Sequence, residues 1–225
     1  MKDIAVIVAH PDDEVLAFGG LMARQSARGD TIHVLIMATG LSSRTDTVQL
    51  DRDELEKLRA DCLSANEILG VKNVQFENFP DNRMDSVALL DVIKPVERFL
   101  AETGATQIYT HHLGDLNVDH KAVAMAVATA ARTLPGGKFE RMCSGEVLSS
   151  SEFSFHENRF MPNSYADISG FVDLKCQAMA CYKSEIRSWP HPRSLEAIRA
   201  AAALRGSESG FEAAEALNVV RDIYR

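Results

Sequence analysis

Cysteine is sparse in this chain and poorly spaced for bonding. The four residues, Cys62, Cys143, Cys176 and Cys181, include no C-x-x-C pair. That spacing excludes an all-thiolate zinc site and argues against a disulfide frame, so reduced, mostly buried thiols in a cytoplasmic protein are expected. Long apolar runs are missing too. The N-terminal run Ile4–Ala9 is too short for a signal peptide, and no stretch approaches the ~20 apolar residues of a membrane span, so no transmembrane segment is expected. Basic residues do not dominate: 24 Lys and Arg stand against 32 Asp and Glu, a formal charge of −8. A broad surface for a phosphate backbone needs the opposite balance, so nucleic acid is not an expected partner. Repeats, low-complexity tracts and linkers are likewise absent. With 225 residues and ordinary apolar content, one domain spanning residues 1–225 is the expectation.

What is present is an alternation of short apolar runs with longer amphipathic ones. Ile4–Ala9 is apolar throughout, as a strand buried on both faces must be. A helical stripe covers Asp13 to Arg28 and stops at Gly29, where a left-handed cap costs glycine little. Thr31–Met37 predicts a second strand, residues 40–50 a loop, and Asp51–Leu69 a helix ending at Gly70. A short strand at Asn73–Phe76, a polar loop at Pro80–Asp85, a helix over Val87–Ala101, a strand at Gln107–Thr110 and a helix over Asp119–Arg132 follow. Past Gly137 the rhythm weakens into a strand at Arg141–Ser149 and helices over Gly170–Tyr182 and Ser194–Arg205. Strands and helices alternating at this spacing predict an α/β fold: a three-layer Rossmann-like arrangement with a mostly parallel sheet.

Ligands of open α/β sheets bind beyond the carboxyl ends of the strands. Two clusters of metal-type side chains fall there: His10-Pro11-Asp12-Asp13-Glu14 after the first strand, and His111 to His120, with Asp115 and Asp119, after the Gln107–Thr110 strand. A histidine and a carboxylate from one loop plus a histidine from the other would satisfy a catalytic zinc site, which takes three N/O ligands and keeps a fourth position open. Imidazole and carboxylate also tolerate other divalent transition metals. Asp12 and Asp13 are adjacent, so one suffices as ligand and the other is free to act as a base.

These motifs carry a resemblance. His10-Pro11-Asp12-Asp13-Glu14, then Gly19-Gly20, and far downstream Asn117-Val118-Asp119-His120, resemble the LmbE-like, or PIG-L, deacetylases. The Leu69-Gly70-Val71 helix end, the loop Asp81-Asn82-Arg83-Met84-Asp85 and His191-Pro192-Arg193-Ser194 extend the likeness over nearly the whole chain. The resemblance implies a zinc hydrolase site on a Rossmann-like fold. It makes His10, Asp13 and His120 the metal ligands, Asp12 the general base and Asp119 a position that in relatives supports a neighbouring catalytic histidine. It further implies an N-acetylglucosamine-type sugar or sugar conjugate as substrate.

One position departs from the family pattern. Several relatives carry a histidine three residues before the final ligand; here Asn117 stands there. An amide can donate to an oxyanion but cannot supply a titrating proton. The leaving amine must then take its proton from Asp12, the favoured route, or from His191. Substrate contacts are expected from Asp81, Asn82, Arg83, His112 and His191, with Arg59 or Arg193 holding an anionic group. His111 and His112 are placed in the cleft, with a purely structural role for one of them as the alternative; Trp189 stacks on a sugar or packs, and Glu14 fixes the loop or the helix start. Two other readings stay open: a zinc amidase or esterase on a non-sugar acyl compound, and a binding protein with a structural metal. The alanine-rich C-terminal helix would suit close packing in a homo-oligomer.

Overall fold

The computed structural model describes residues 1–38, 52–133 and 137–224. Its centre is β1 (Asp3–Val8), whose residues from Ile4 onward are all buried. Parallel neighbours flank it on both sides. β2 (Thr31–Ala38) pairs in the register Ile4↔Ile32 and Val6↔Val34, and β4 (Gln107–His111) pairs as Ala5↔Ile108 and Ile7↔Thr110. Outside these lie β3 (Asn73–Phe79) on β2 and β5 (Arg141–Gly145) on β4, both parallel. β7 (Ala214–Asp222) runs antiparallel between β5 and β6 (Ser164–Asp167), giving the order β3-β2-β1-β4-β5-β7-β6.

The pleat divides β1 between two cores. Ile4, Val6 and Val8 meet α1 (Asp13–Ala27), α2 (Arg52–Ile68) and α5 (Val172–Cys181) on one face. Ala5, Ile7 and Ala9 meet α3 (Leu89–Thr103) and α4 (Val118–Ala130) on the other. α6 (Leu195–Ser209) covers β7 and part of β6. A side chain that points up in a strand and one that points down are both buried, which is why β1 and β2 read as unbroken apolar runs.

The chain leaves β1 outward to β2 and β3, then returns to add β4 on the other side of β1. Strand order therefore reverses between β1 and β4. The loops after these two strands cannot cross the sheet on the same side, so a crevice opens between them. The first contains His10 to Asp13, the second His112 to His120.

α1 is held at its middle by a buried ion pair. Glu215 of β7 accepts from Gly20 N (2.8 Å) and Leu21 N (2.7 Å), and from Lys175 Nζ of α5 at 2.6 Å. Lys175 Nζ also donates to Leu16 O at 2.8 Å. The approach is so close that a Cβ on Gly20 would stand 2.7 Å from Ile168 Cδ1, which explains the glycine in a helix interior.

The expected elements recur with shifted ends. His111 is the last residue of β4 and not part of the following loop. β5 stops at Gly145 instead of running to Ser149, because Val147 O accepts from Ser150 N and Ser151 N and the chain turns back there. β6 and β7 were not foreseen: β7 follows an alanine- and glutamate-rich segment and starts Ala214-Glu215-Ala216, which carries no strand signature of its own. The expected 40–50 loop lies outside the described residues.

Removing one member of a buried ion pair leaves the other uncompensated. Glu215→Ala should therefore lower unfolding free energy by about 3–5 kcal/mol, measured by urea denaturation; a loss near zero would show that the Lys175–Glu215 pair does not brace α1.

Candidate metal centre

The two loops at the crevice bring three side chains onto one point. Asp13 Oδ2 stands 3.3 Å from His10 Nδ1 and 3.2 Å from His120 Nε2. All three offer a ligand atom within 4.8 Å of the others. Asp13 opens α1 and His120 lies in the first turn of α4, so both are held by helix starts. Asp13 also accepts from His10 N at 2.8 Å, which closes the loop on itself.

The donor set fits a divalent cation. Both ring nitrogens of His120 are buried without a well-formed hydrogen bond, an arrangement that costs free energy unless an ion or a proton occupies the space between Nε2 and Asp13. The far nitrogen of each imidazole faces carboxylate. His10 Nε2 lies 3.1 Å from both Asp81 Oδ1 and Asp119 Oδ2, and His120 Nδ1 lies 3.2 Å from Asp115 Oδ1. Carboxylates in these places orient ligand imidazoles and raise their basicity.

The electrostatics follow. Burial works against charge on His10, but Asp119, Asp13 and Asp81 raise it well above the usual histidine value. For His120 burial is likewise outweighed, by Asp13 and Asp115, which bring it up to about 9. Burial would raise Asp13; His120 and His10 instead hold it well below the carboxylate range. His111, stacked on His120 with ring centroids 3.9 Å apart, is driven down to about 3 by burial and by its charged neighbour. It stays neutral and accepts from Ala9 N at 2.7 Å. Its place is inside the protein, not in the cleft.

A cavity of about 270 Å³ opens at His10 and His120, lined also by Asp12, Asp81, Asn82, Asn117 and Arg193 together with Leu116, Ser149, Ser150 and Glu185. Asp12 is 1% exposed, and its Oδ2 has no hydrogen bond. Burial pushes its carboxyl up, opposed by the Arg193 guanidinium, whose Nη1 lies 3.1 Å away. Arg193 is itself fixed by Glu185 Oε2 at 2.8 Å and Ser149 Oγ at 2.8 Å. Asn117 caps α4: its Oδ1 accepts from Asp119 N at 2.8 Å and its Nδ2 donates to Asn82 Oδ1 at 2.9 Å. Asp119 lies beneath, accepting from Asn82 N at 2.6 Å and Met84 N at 2.9 Å.

Four expected contacts, and Trp189 with them, are not brought to this cavity. Arg59 lies on α2, donating to Asn78 Oδ1 at 2.6 Å and covering the Phe76 ring at 5.3 Å, so it braces β3 instead. Arg83 points to solvent. His112 is joined to Asn158 O at 2.8 Å and meets the Phe160 ring edge-on, which makes it a loop brace. His191 is exposed, its Nδ1 accepting from Arg193 N at 3.0 Å, and Trp189 is 60% exposed outside the lining. Conversely Asp115, Ser149, Ser150 and Glu185 had gone unassigned. Asp115 alone had a signal: a carboxylate in the same loop as a ligand histidine is the usual partner of its second nitrogen.

Comparison with known proteins gives a consistent picture. The family described as PIG-L: GlcNAc-PI de-N-acetylase matches residues 5–131, which include both motifs. The uncharacterized deacetylase YaiS of Escherichia coli (strain K12) is 34% identical over 139 residues, 60% of this chain and 70% of that protein. Among solved structures, the N,N'-diacetylchitobiose deacetylase of Pyrococcus horikoshii superposes with a TM-score of 0.79 at 18% identity, covering 97% of this chain and 84% of that one. GalB of Pseudomonas putida KT2440, a 4-carboxy-2-hydroxymuconate hydratase, superposes with a TM-score of 0.78 at 20% identity, over 100% of this chain and 98% of that one. The structural likenesses establish the fold, and the hydratase shows that the fold alone does not fix the reaction.

A proton must leave His120 before its Nε2 can bind an ion. Zinc affinity, measured by competition with a chelator, should therefore rise with pH up to about 9 and fall by up to about tenfold per pH unit below it; an affinity flat across neutral pH would contradict this charge arrangement.

Proposed function

The chain belongs to the GlcNAc-PI de-N-acetylase (PIG-L) family, and we propose from that premise that it is a metal-dependent hydrolase removing the acetyl group from an N-acetylated sugar or sugar conjugate. One observation carries the reading: His10 Nδ1, Asp13 Oδ2 and His120 Nε2 converge beneath a cavity into which the carboxylate of Asp12 also faces. Among the described residues this cluster offers three ligands and opens on a cavity, which favours catalysis over a closed structural site. Zinc is the ion the donor set suits best, with other divalent transition metals as alternatives.

A divalent ion held there supplies Lewis-acid polarisation and makes water acidic enough to be deprotonated near neutral pH. The remaining work falls to side chains. Asp12 accepts a proton from water as its oxygen attacks the acetyl carbon. Arg193 beside it favours the ionised carboxylate that this step requires. The second N–H of Asn117 Nδ2 is available to the oxyanion, since the first is given to Asn82. Asp12 then returns the proton to the leaving nitrogen, the C–N bond breaks, and acetate and a free amine result. Among the described residues no histidine besides His10 and His120 lines the cavity, which supports Asp12 as the shuttle over His191.

The substrate class rests on the lining. Asp81, Asn82, Asn117 and the two serines present carboxylate, amide and hydroxyl groups of the kind that meet sugar hydroxyls, and among the described residues Arg193 is the guanidinium in place for an anionic substituent. A non-sugar N-acyl compound or an ester would use the same centre. No described helix is long and apolar enough to cross a membrane. A cytoplasmic location and a homo-oligomer through α6, where Ala200, Ala203 and Leu204 face outward, belong to the same proposal.

Acetate release from a panel of N-acetyl sugars, their phosphate- or carboxylate-bearing conjugates and simple acyl amides tests the substrate class; hydrolysis confined to acyl amides would remove the sugar. On the substrate so found, Asp12→Asn should retain zinc and lose turnover by about 10²–10⁴-fold, and undiminished turnover would exclude Asp12 as the base.

A further inference from the structure

Asp12 holds its carboxylate over the cavity from an unusual backbone. Its φ is 105° and ψ is −27°, a left-handed conformation in which L side chains are strained. Such a residue costs of order 1–3 kcal/mol and persists only where its surroundings over-determine it. The source of that constraint is visible. Asp12 N donates to Glu14 Oε2 at 3.0 Å, while Asp12 O accepts from Val15 N at 3.1 Å and Leu16 N at 2.9 Å. The carbonyl is fixed by the helix it opens, and the N–H is fixed by a side chain two residues on.

Glu14 is an expensive way to satisfy one N–H. It is completely buried, does not line the cavity, and takes no part in the chemistry above. Its other oxygen, Oε1, is gripped from two separate helices. Asn66 Nδ2 of α2 donates to it at 2.9 Å, and the hydroxyl of Tyr182, at the end of α5, donates in a short hydrogen bond. Both partners are themselves buried, Tyr182 completely and Asn66 to within 1%. A carboxylate pinned by two rigid elements has little freedom to move, so the N–H it accepts is fixed as well.

We propose that Glu14 is a positioning residue for Asp12: anchored by Tyr182 and Asn66, it keeps the Asp12 backbone left-handed and so aims the carboxylate at the reacting atoms. The loop then contains two reciprocal braces of different purpose. Asp13 closes on His10 N and sets a ligand pair; Glu14 closes on Asp12 N and sets the base. The inference rests on Asp12 being the base in the deacetylase reading, but the backbone claim stands apart from it.

Glu14→Ala and Glu14→Gln test this, with crystal structures and zinc content alongside kinetics on the wild-type substrate. Glu14→Ala should lower kcat by about 100-fold, the scale of an ångström misplacement. KM should stay within about twofold, because the residue does not touch substrate, and zinc should remain bound. Asp12 should leave the left-handed region in its structure. Glu14→Gln keeps an oxygen for the Asp12 N–H and should recover most of the loss. A Glu14→Ala protein with unchanged kcat, or with Asp12 still at its original φ, overturns the proposal. If that variant does not fold, the double variant Tyr182→Phe with Asn66→Ala retains Glu14 but frees it. It should lower kcat at constant KM, and an unchanged kcat would again overturn the idea. Should Asp12→Asn prove fully active, the base assignment fails; the conformation of Asp12 in the Glu14→Ala structure then decides the positioning claim alone.

Discussion

The pairing of β1 with β4 is the constraint from which the chemistry follows. These strands are separated by about a hundred residues of chain, yet they lie in register with Ile7 opposite Thr110. Because strand order reverses between them, the loops after β1 and β4 diverge, and side chains from both face one crevice. His10 and Asp13 come from one loop, and Asp115, Asp119 and His120 from the other. No short-range interaction could assemble this set. The sheet must form first in the sense that matters energetically: its two apolar faces supply the burial that holds the loop ends in place.

What is gathered there is costly to bury. Asp12, Asp13, Glu14, Asp81, Asp115 and Asp119 are each no more than 2% exposed. Isolated carboxylates in such surroundings would protonate or destabilise the fold. The structure offsets the cost in distinct ways. Asp115 is met by the hydroxyls of Ser150 and Ser151, and Asp119 by two backbone amides and an imidazole. Asp12 is left with an arginine at 3.1 Å and no well-formed hydrogen bond on Oδ2. Of these six, Asp12 leaves a buried oxygen without a hydrogen bond, and it lines the cavity. Buried groups with unmet hydrogen-bonding capacity tend to be those that meet a ligand or a reacting proton.

The second loop is organised around the amide of Asn117. Asn117 ties the start of α4 to Asn82, and through it to the loop carrying Asp81. The same residue is therefore a helix cap, a bridge between loops and a cavity-facing donor. In the proposed reaction proton transfer then falls to Asp12, and so the orientation of that single carboxylate matters more than it would beside a second titrating group.

Local pattern made much of this visible. The unbroken apolar run from Ile4 to Ala9, the stops at Gly29 and Gly70, and the acid-histidine clusters at two strand ends each have a physical meaning that needs no partner in space. β6 and β7 escaped because an edge of antiparallel strands at the end of an alternating pattern leaves no periodic signature in Ala-Glu-Ala-Leu. Arg59, Arg83, His112 and His191 show the converse. Their chemistry suited a binding site, but whether a side chain faces a cleft depends on the packing of α2, of the 81–85 loop and of the 149–161 segment. Arg193, two residues from His191 along the chain, reaches the cavity because Glu185 and Ser149 hold it there.

Taken alone, then, the order of residues determined most of the strands and helices, roughly where they would stop, and which side chains had the valence for a metal. Those properties are set within a few residues by backbone sterics and hydrophobic periodicity. The tertiary structure decided which carboxylate supports which imidazole, which arginine confronts Asp12, and that Glu14 braces its neighbour from behind. These depend on distances between groups up to 181 positions apart in the chain, as Asp12 and Arg193 are, and only the packed sheet and its helices set those distances.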